Sequence, residues 1–195
     1  MMRFLILATN NQGKLQELRR LLAGTGWVVQ AAPPDFAVEE TGTTFAENAR
    51  LKALAAAERT GKWSVGDDSG LAVDALGGAP GVYSARYGRN DGERISRLLA
   101  ALAGQADRGA RFICAIALAE PGRVLTEVEA ECRGVILHAP RGNGGFGYDP
   151  VFLVPELGKT FAELDIAEKE RHSHRGRAVR KLLSGCSRGT SIVDH

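Results

Sequence analysis

Residues 3–14 read RFLILATNNQGK, and this stretch decides the fold class. Residues 3–9 form a near-continuous apolar run, the pattern of a strand buried on both faces rather than one with a wet side. Asn10-Asn11-Gln12-Gly13 then turns the chain. Beyond it Leu15, Leu18, Leu21 and Leu22 recur on one stripe of a helix that stops near Gly24 and Gly26. Trp27-Val28-Val29 predicts a second strand. Strand, tight loop, helix and strand in succession open an α/β protein.

Pro33-Pro34 breaks the chain, and residues 35–43 are acidic and irregular. Thr44 and Glu47 have the spacing of a capping box, so a helix runs through Ala49, Ala53 and Ala56 to about Thr60, ended by Gly61. Trp63-Ser64-Val65-Gly66 is a short apolar run with Asp67-Asp68-Ser69-Gly70 at its end. Residues 74–92, rich in Gly and Pro, predict a loop with local order. Ile95, Leu98, Leu99 and Leu102 mark an amphipathic helix. Residues 110–118 and 124–133 read as strands joined across Pro121-Gly122. The second alternates Val128, Ala130 and Cys132 with Glu127, Glu129, Glu131 and Arg133, as in an antiparallel strand with one wet face, so the sheet is mixed. A short helix is expected within 160–169 and a last helix over 175–184. The polar 187–195 is expected to fray.

At 195 residues the chain has the size of one domain able to bury its own core, and we take 1–195 as a single unit of organisation. A net charge of +2 argues against a basic nucleic-acid wrapper, so no stable nucleic-acid partner is expected. The apolar share of 44% excludes disorder over the whole length. Cys114, Cys132 and Cys186 are odd in number and widely spaced, which gives neither a disulfide framework nor a metal knuckle. The run Phe4–Ala8 is too short for a signal-peptide core, and no stretch is long enough to span a bilayer. The expectation is a cytoplasmic protein with no membrane association.

Four places can carry chemistry. Thr9, Asn10, Asn11, Gln12, Gly13 and Lys14 join a buried strand to a helix start, where backbone N–H groups and Lys14 suit phosphate; the alternative is an ordinary strand–helix turn. Glu17, one turn beyond, is a candidate partner for Lys14. Glu40 and the adjacent Asp67 and Asp68 offer hard oxygen ligands that suit Mg²⁺; the alternative is a solvated turn. In the glycine-rich 142–150, Phe146 and Tyr148 either stack on a flat ligand or pin the loop to the core, with Gly147 allowing close approach and Asp149 able to accept from a base or sugar. Lys169, Arg171, His172, His174 and Arg175 form a basic run that receives phosphate or a carbonyl-rich base, or is merely solvated. No third ligand accompanies the two histidines, so zinc is not expected.

Taken together, ATNNQGK (8–14), EETGTTFAENARLKA (39–53), GDDSGLAVDALGGAPGVYSARY (66–87), GGFGYDPVF (144–152) and SHRGRA (173–178) resemble the inosine triphosphate pyrophosphatase family, in family order and from end to end. The resemblance implies a two-lobed α/β fold with a long, twisted, mixed sheet flanked by helices and the active site in the cleft between the lobes. It implies a homodimer that uses Mg²⁺ to hydrolyse ITP, dITP and XTP to the monophosphate and pyrophosphate. Residue by residue, it implies that 9–14 hold the triphosphate with Lys14 also catalytic, and that Asp68 is the general base. Glu40, Asp67 and Asp68 are implied as metal-associated. Ser69 is implied as a substrate contact, with Phe146, Gly147, Tyr148 and Asp149 at base and sugar. Lys169, His174 and Arg175 are implied as closing over base and phosphate. Two alternatives stand beside this: a pyrophosphatase for modified pyrimidine nucleotides, and a nucleotide-binding protein without turnover.

Base choice then has a physical form. Hypoxanthine and xanthine present an acceptor at C6 where adenine presents a donor. A guanidinium only donates, so Arg175 aimed at C6 would favour the carbonyl by about 1–3 kcal/mol.

Overall fold

The structure is a computed structural model and describes residues 3–189; the side chains of Arg3 and of residues 186–189, Cys186 among them, are outside that description. The strands are β1 (Arg3–Leu7), β2 (Trp27–Ala31), β3 (Trp63–Val73), β4 (Gly109–Glu120), β5 (Arg123–Ile136), β6 (Phe152–Val154) and β7 (Lys159–Thr160). The helices are α1 (Gln12–Leu21), α2 (Phe45–Thr60), α3 (Asp91–Ala101), α4 (Ile166–His172) and α5 (His174–Gly189). The strands form one sheet in the order β2-β1-β3-β4-β5-β6-β7. β1 pairs in parallel with β2 and β3, as crossovers through α1 and α2 require. β6 pairs antiparallel with β5 and β7. β4 and β5 are neighbours joined by only Pro121-Gly122, a connection that antiparallel strands alone permit. The α/β class and the mixed sheet are therefore as read from the sequence.

Two compact units are present. The first comprises the chain up to Asp68, Ala115–Ala130 and the chain from Arg175; the second comprises Ser69–Cys114 and Glu131–His174. In the first, Leu5, Ile6, Leu7 and Ala8 are all but completely buried, which the unbroken apolar run of β1 anticipates. Ile6 and Ala8 join Ala32, Phe36 and Ala56 in its core. In the second, Phe112 lies edge-on to Phe152 at 4.7 Å and stacked on Phe161 at 5.5 Å, among buried aliphatic residues of β3, α3 and β5. Each such ring pair adds about 0.5–1.5 kcal/mol to the apolar burial.

Local chemistry fixes the helix starts. Asn11 caps α1 by accepting from the Lys14 N–H at 3.0 Å. Thr44 and Glu47 form the expected reciprocal capping box on α2, and Gly61 ends that helix in the left-handed region at φ 64°. Residues 74–92 hold the expected local order as two 3₁₀ turns, Asp74–Leu76 and Gly81–Arg86. No helix among the described residues is long and apolar enough to cross a membrane.

Three expectations are corrected. Asp67-Asp68-Ser69-Gly70 does not end a strand: β3 continues through it for 11 residues, and both aspartates are buried. The short helix expected within 160–169 begins later, because Lys159–Thr160 pair with β6 and a second capping box, Asp165 with Glu168, starts α4. The last helix runs on to Gly189; of the segment expected to fray, 190–195 lies outside the described residues.

Gly66 explains the alanines of α2. A Cβ built on it would run into the backbone of Ala49 and Ala53, so helix and strand approach to near backbone contact. Substituting Gly66→Val should push α2 off β3 and cost roughly 1–3 kcal/mol. Urea unfolding would read it as a lower midpoint, and an unchanged midpoint would show that the close approach is not needed.

Candidate active site

Asp67 and Asp68 are consecutive on β3, so their side chains leave opposite faces of the sheet. Each meets a different helix set. Asp67, 1% exposed, accepts from Lys14 Nζ of α1 on Oδ1 at 2.7 Å and from Arg175 Nε of α5 on Oδ2 at 2.8 Å. The same guanidinium donates through Nη1 to Glu17 of α1. Asp68, 6% exposed, accepts from Lys52 Nζ of α2 on Oδ1 at 2.8 Å and from Asn48 Nδ2 on Oδ2 at 3.3 Å. Lys52 also holds Glu40 at 2.9 Å. Asn48, fully buried, accepts on Oδ1 from the Gly42 N–H at 2.9 Å and so ties the loop carrying Glu40 to Asp68.

These settings drive the two carboxyls in opposite directions. Burial alone would push Asp67 up, but Arg175 and Lys14 outweigh it and hold the carboxyl well below its usual range. Burial also pushes Asp68 up; Lys52 and Lys14 pull against it, Glu40 adds to the rise, and the net shift is upward. Burial would lower Lys52, yet Asp68 and then Glu40 raise it. Asp67 is thus a fixed charge, while Asp68 has the greater proton affinity. Glu40 and Asp68 share the Lys52 ammonium, which brings the two carboxylates to one place. Among the described residues no three His, Cys, Asp or Glu side chains gather where they would hold a metal ion by themselves. Mg²⁺ fits such a pair, because it takes one or two carboxylates and completes its shell with water and substrate phosphates.

The loop before α1 is braced by its own side chains. Thr9 Oγ1 accepts from the Asn11 N–H at 3.2 Å, and Asn10 Nδ2 donates to the Phe36 carbonyl at 2.7 Å. Gln12 and Gly13 form the first turn of α1, where the leading N–H groups have no intrahelical acceptor.

The second unit gathers another set. Asp149, 3% exposed, accepts on Oδ2 from Lys169 Nζ at 2.6 Å and from the Phe146 N–H at 2.8 Å. The Lys169 ammonium lies 5.0 Å from the centre of the Phe146 ring. A Cβ on Gly145 would strike the Asp149 carboxylate, so glycine is required there for the turn to close. Tyr148 is buried and donates its hydroxyl to the Ser84 carbonyl at 3.0 Å; burial pushes this phenol up. His174 is buried and stacked on Phe112 at 4.7 Å. Ser69 follows Asp68 on β3 and is half-buried.

Residues 5–185 match the model of the Ham1 family. The chain belongs to the Ham1 family. A dITP/XTP pyrophosphatase of Gloeobacter violaceus is 97% identical over 195 residues, the full length of both chains. A dITP/XTP pyrophosphatase of Nostoc is 55% identical over 184 residues, 94% of each chain. Among solved structures, the Ham1 protein of Staphylococcus aureus superposes with a TM-score of 0.85 at 40% identity, over 95% of this chain and 98% of that one. A HAM1 protein from Coxiella burnetii gives 0.84 at 42% identity, over 96% and 100%.

In this Ham1 member the residues singled out from the sequence fall into two sets. Lys14, Glu40, Asp67, Asp68 and Arg175 come together in the first unit, and Phe146, Asp149 and Lys169 in the second. Glu17 meets Arg175, where the sequence suggested Lys14. Lys52 and Asn48 were not singled out. Their signal was available: they stand four residues apart on one helix face, between alanines.

Arg175 is 2% exposed, and its guanidinium bridges two carboxylates that are themselves buried. Arg175→Leu should therefore lower stability by about 3–5 kcal/mol, since Asp67 loses one of its two cations and Glu17 loses the guanidinium. Urea denaturation would measure this, and a loss near that of an exposed arginine would contradict the pairing.

Proposed function

We propose that this protein hydrolyses ITP, dITP and XTP to the nucleoside monophosphate and pyrophosphate, with Mg²⁺, and so removes deaminated purines from the nucleotide pool. The observation that carries this reading is the division of charge on β3: Asp68, pushed up by burial, sits beside Glu40, while Asp67 fixes Lys14. The relatives bearing the name dITP/XTP pyrophosphatase, at 97% and 55% identity, support the same reaction.

Asp68 takes the proton of a water whose oxygen bonds to the α-phosphorus; the bond from that phosphorus to the bridging oxygen breaks, and pyrophosphate leaves. Lys14 and the 9–13 backbone hold the triphosphate, with Thr9, Asn10 and Asn11 keeping the loop in shape. Glu40 and Asp68 would hold the metal ion, and Asp67, whose two oxygens accept from Lys14 and Arg175, serves that site by fixing Lys14. When bound, Mg²⁺ supplies positive charge to the phosphate oxygens. Ser69 contacts substrate next to Asp68. Phe146 offers a ring face to the base, and Lys169, held by Asp149, is a donor-only group suited to a 6-carbonyl. In this assignment Gly147 and Tyr148 shape the base segment and His174 braces it, while Arg175 anchors Asp67 in place of reading C6.

We further propose a homodimer and a cytoplasmic location. The exposed Tyr83, on the Gly81–Arg86 turn, offers apolar surface for the former, and Cys114 and Cys132, buried as thiols, suit a reducing compartment for the latter. Light scattering at micromolar concentration should give twice the chain mass.

Turnover of ITP in ¹⁸O water, with pyrophosphate and orthophosphate scored separately over ITP, dITP, XTP, GTP, ATP, dTTP and dUTP, tests the activity. Pyrophosphate with label in the monophosphate, and a preference for the first three, is expected; stepwise release of orthophosphate would sink the proposal. Asp68→Asn should keep the fold and lose roughly 10²-fold or more in kcat.

A further inference from the structure

Residues 142–147 contain four glycines, so little in the loop's own chemistry fixes where Phe146 points. Gly147 sits at φ 64°, and the peptide joining Phe146 to Gly147 is free of any strand or helix ladder. Its N–H instead donates to Asp91 Oδ2 at 2.7 Å, a partner 56 residues away at the first position of α3. The other oxygen, Oδ1, accepts from Arg94 Nη1 at 2.6 Å, one turn along the same helix. Arg94 in turn donates through Nε to the Gly88 carbonyl at 3.1 Å, so the carboxylate is itself held in orientation. One residue further on, Tyr148 fastens to Ser84, whose hydroxyl accepts from the Leu71 N–H at 2.8 Å. The loop is moored to rigid structure at consecutive residues, and Asp91 holds the peptide next to the Phe146 ring.

We infer that Asp91 is a positioning residue for base recognition: it fixes the Phe146–Gly147 peptide, and with it the ring over which Lys169 lies. The inference rests on the reading of 146–149 as the base segment. It differs from a helix-end role, in which an acidic residue at the start of α3 merely complements the helix dipole. A dipole role needs the charge. A positioning role needs an acceptor facing the Gly147 N–H, which the single amide oxygen of asparagine supplies while the Arg94 contact at the other position is given up.

Asp91→Ala, Asp91→Asn and Phe146→Ala would be compared for kcat and KM on ITP, with melting temperatures and amide hydrogen exchange at Gly147 measured on the same proteins. Asp91→Ala is expected to raise KM about tenfold with kcat within about twofold, and to speed exchange at the Gly147 amide. Asp91→Asn should return KM to within about threefold of the parent and restore protection. Asp91→Ala and Asp91→Asn losing thermal stability alike with KM unchanged would overturn the inference in favour of the dipole. Phe146→Ala raising KM while Asp91→Ala does not would overturn it while leaving the base segment standing. Phe146→Ala without effect on KM would instead remove the base segment, and the inference with it.

Discussion

Two adjacent carboxylates in the middle of a buried strand are tolerable only because a strand's side chains alternate faces. Asp67 and Asp68 would repel each other on one face; on opposite faces each finds its own cations. Arg175 and Lys14 neutralise the first and Lys52 serves the second. Burying a charge without a partner costs several kcal/mol, so α1, α2 and α5 have to deliver those side chains for β3 to form at all. Gly66 completes the constraint by letting α2 come close enough for Asn48 and Lys52 to reach Asp68.

The same arrangement drives the two carboxyls in opposite directions. Asp67 is held ionised by two cations, a state that favours orientation over proton exchange. Asp68 shares Lys52 with Glu40 and is shifted upward, toward the protonated form. A strand offers this division at no cost in sequence length, since neighbouring residues already face different surroundings. In the second unit the organisation differs: no strand carries the Phe146–Asp149 segment, and point contacts to Asp91, Ser84 and Lys169 replace a ladder.

Much of this was legible in the chain. The apolar run of β1 and the Thr44–Glu47 box are local signals, and local signals survive folding. The pairing of 110–118 with 124–133 was equally plain, because a two-residue Pro-Gly connection leaves antiparallel neighbours as its only outcome. The passage of β3 through Asp67-Asp68-Ser69-Gly70 was hidden, because those residue types favour turns and only partners remote in sequence reverse the preference. β6 and β7, three and two residues long, carry too little pattern to be seen. For the candidate site, motif resemblance singled out Lys14, Glu40, Asp67 and Asp68, which the fold brings together through shared ion pairs. It gave no sign that the Arg175 guanidinium would pair with Asp67 and Glu17, since those partners lie 108 and 158 residues away in the chain.

Asp67 holds the fold, whereas Asp68, the proposed base, contributes little to it. Urea unfolding free energies of Asp67→Asn and Asp68→Asn, measured side by side, test it most directly. Asp67→Asn should lose about 3–5 kcal/mol, because the buried Arg175 Nε and Lys14 then face a neutral amide in place of a carboxylate. Asp68→Asn should stay within about 1 kcal/mol of the parent, because the fold already disfavours its charge and Lys52 keeps Glu40. Equal losses, or a larger loss for Asp68→Asn, would contradict the division of the two carboxylates.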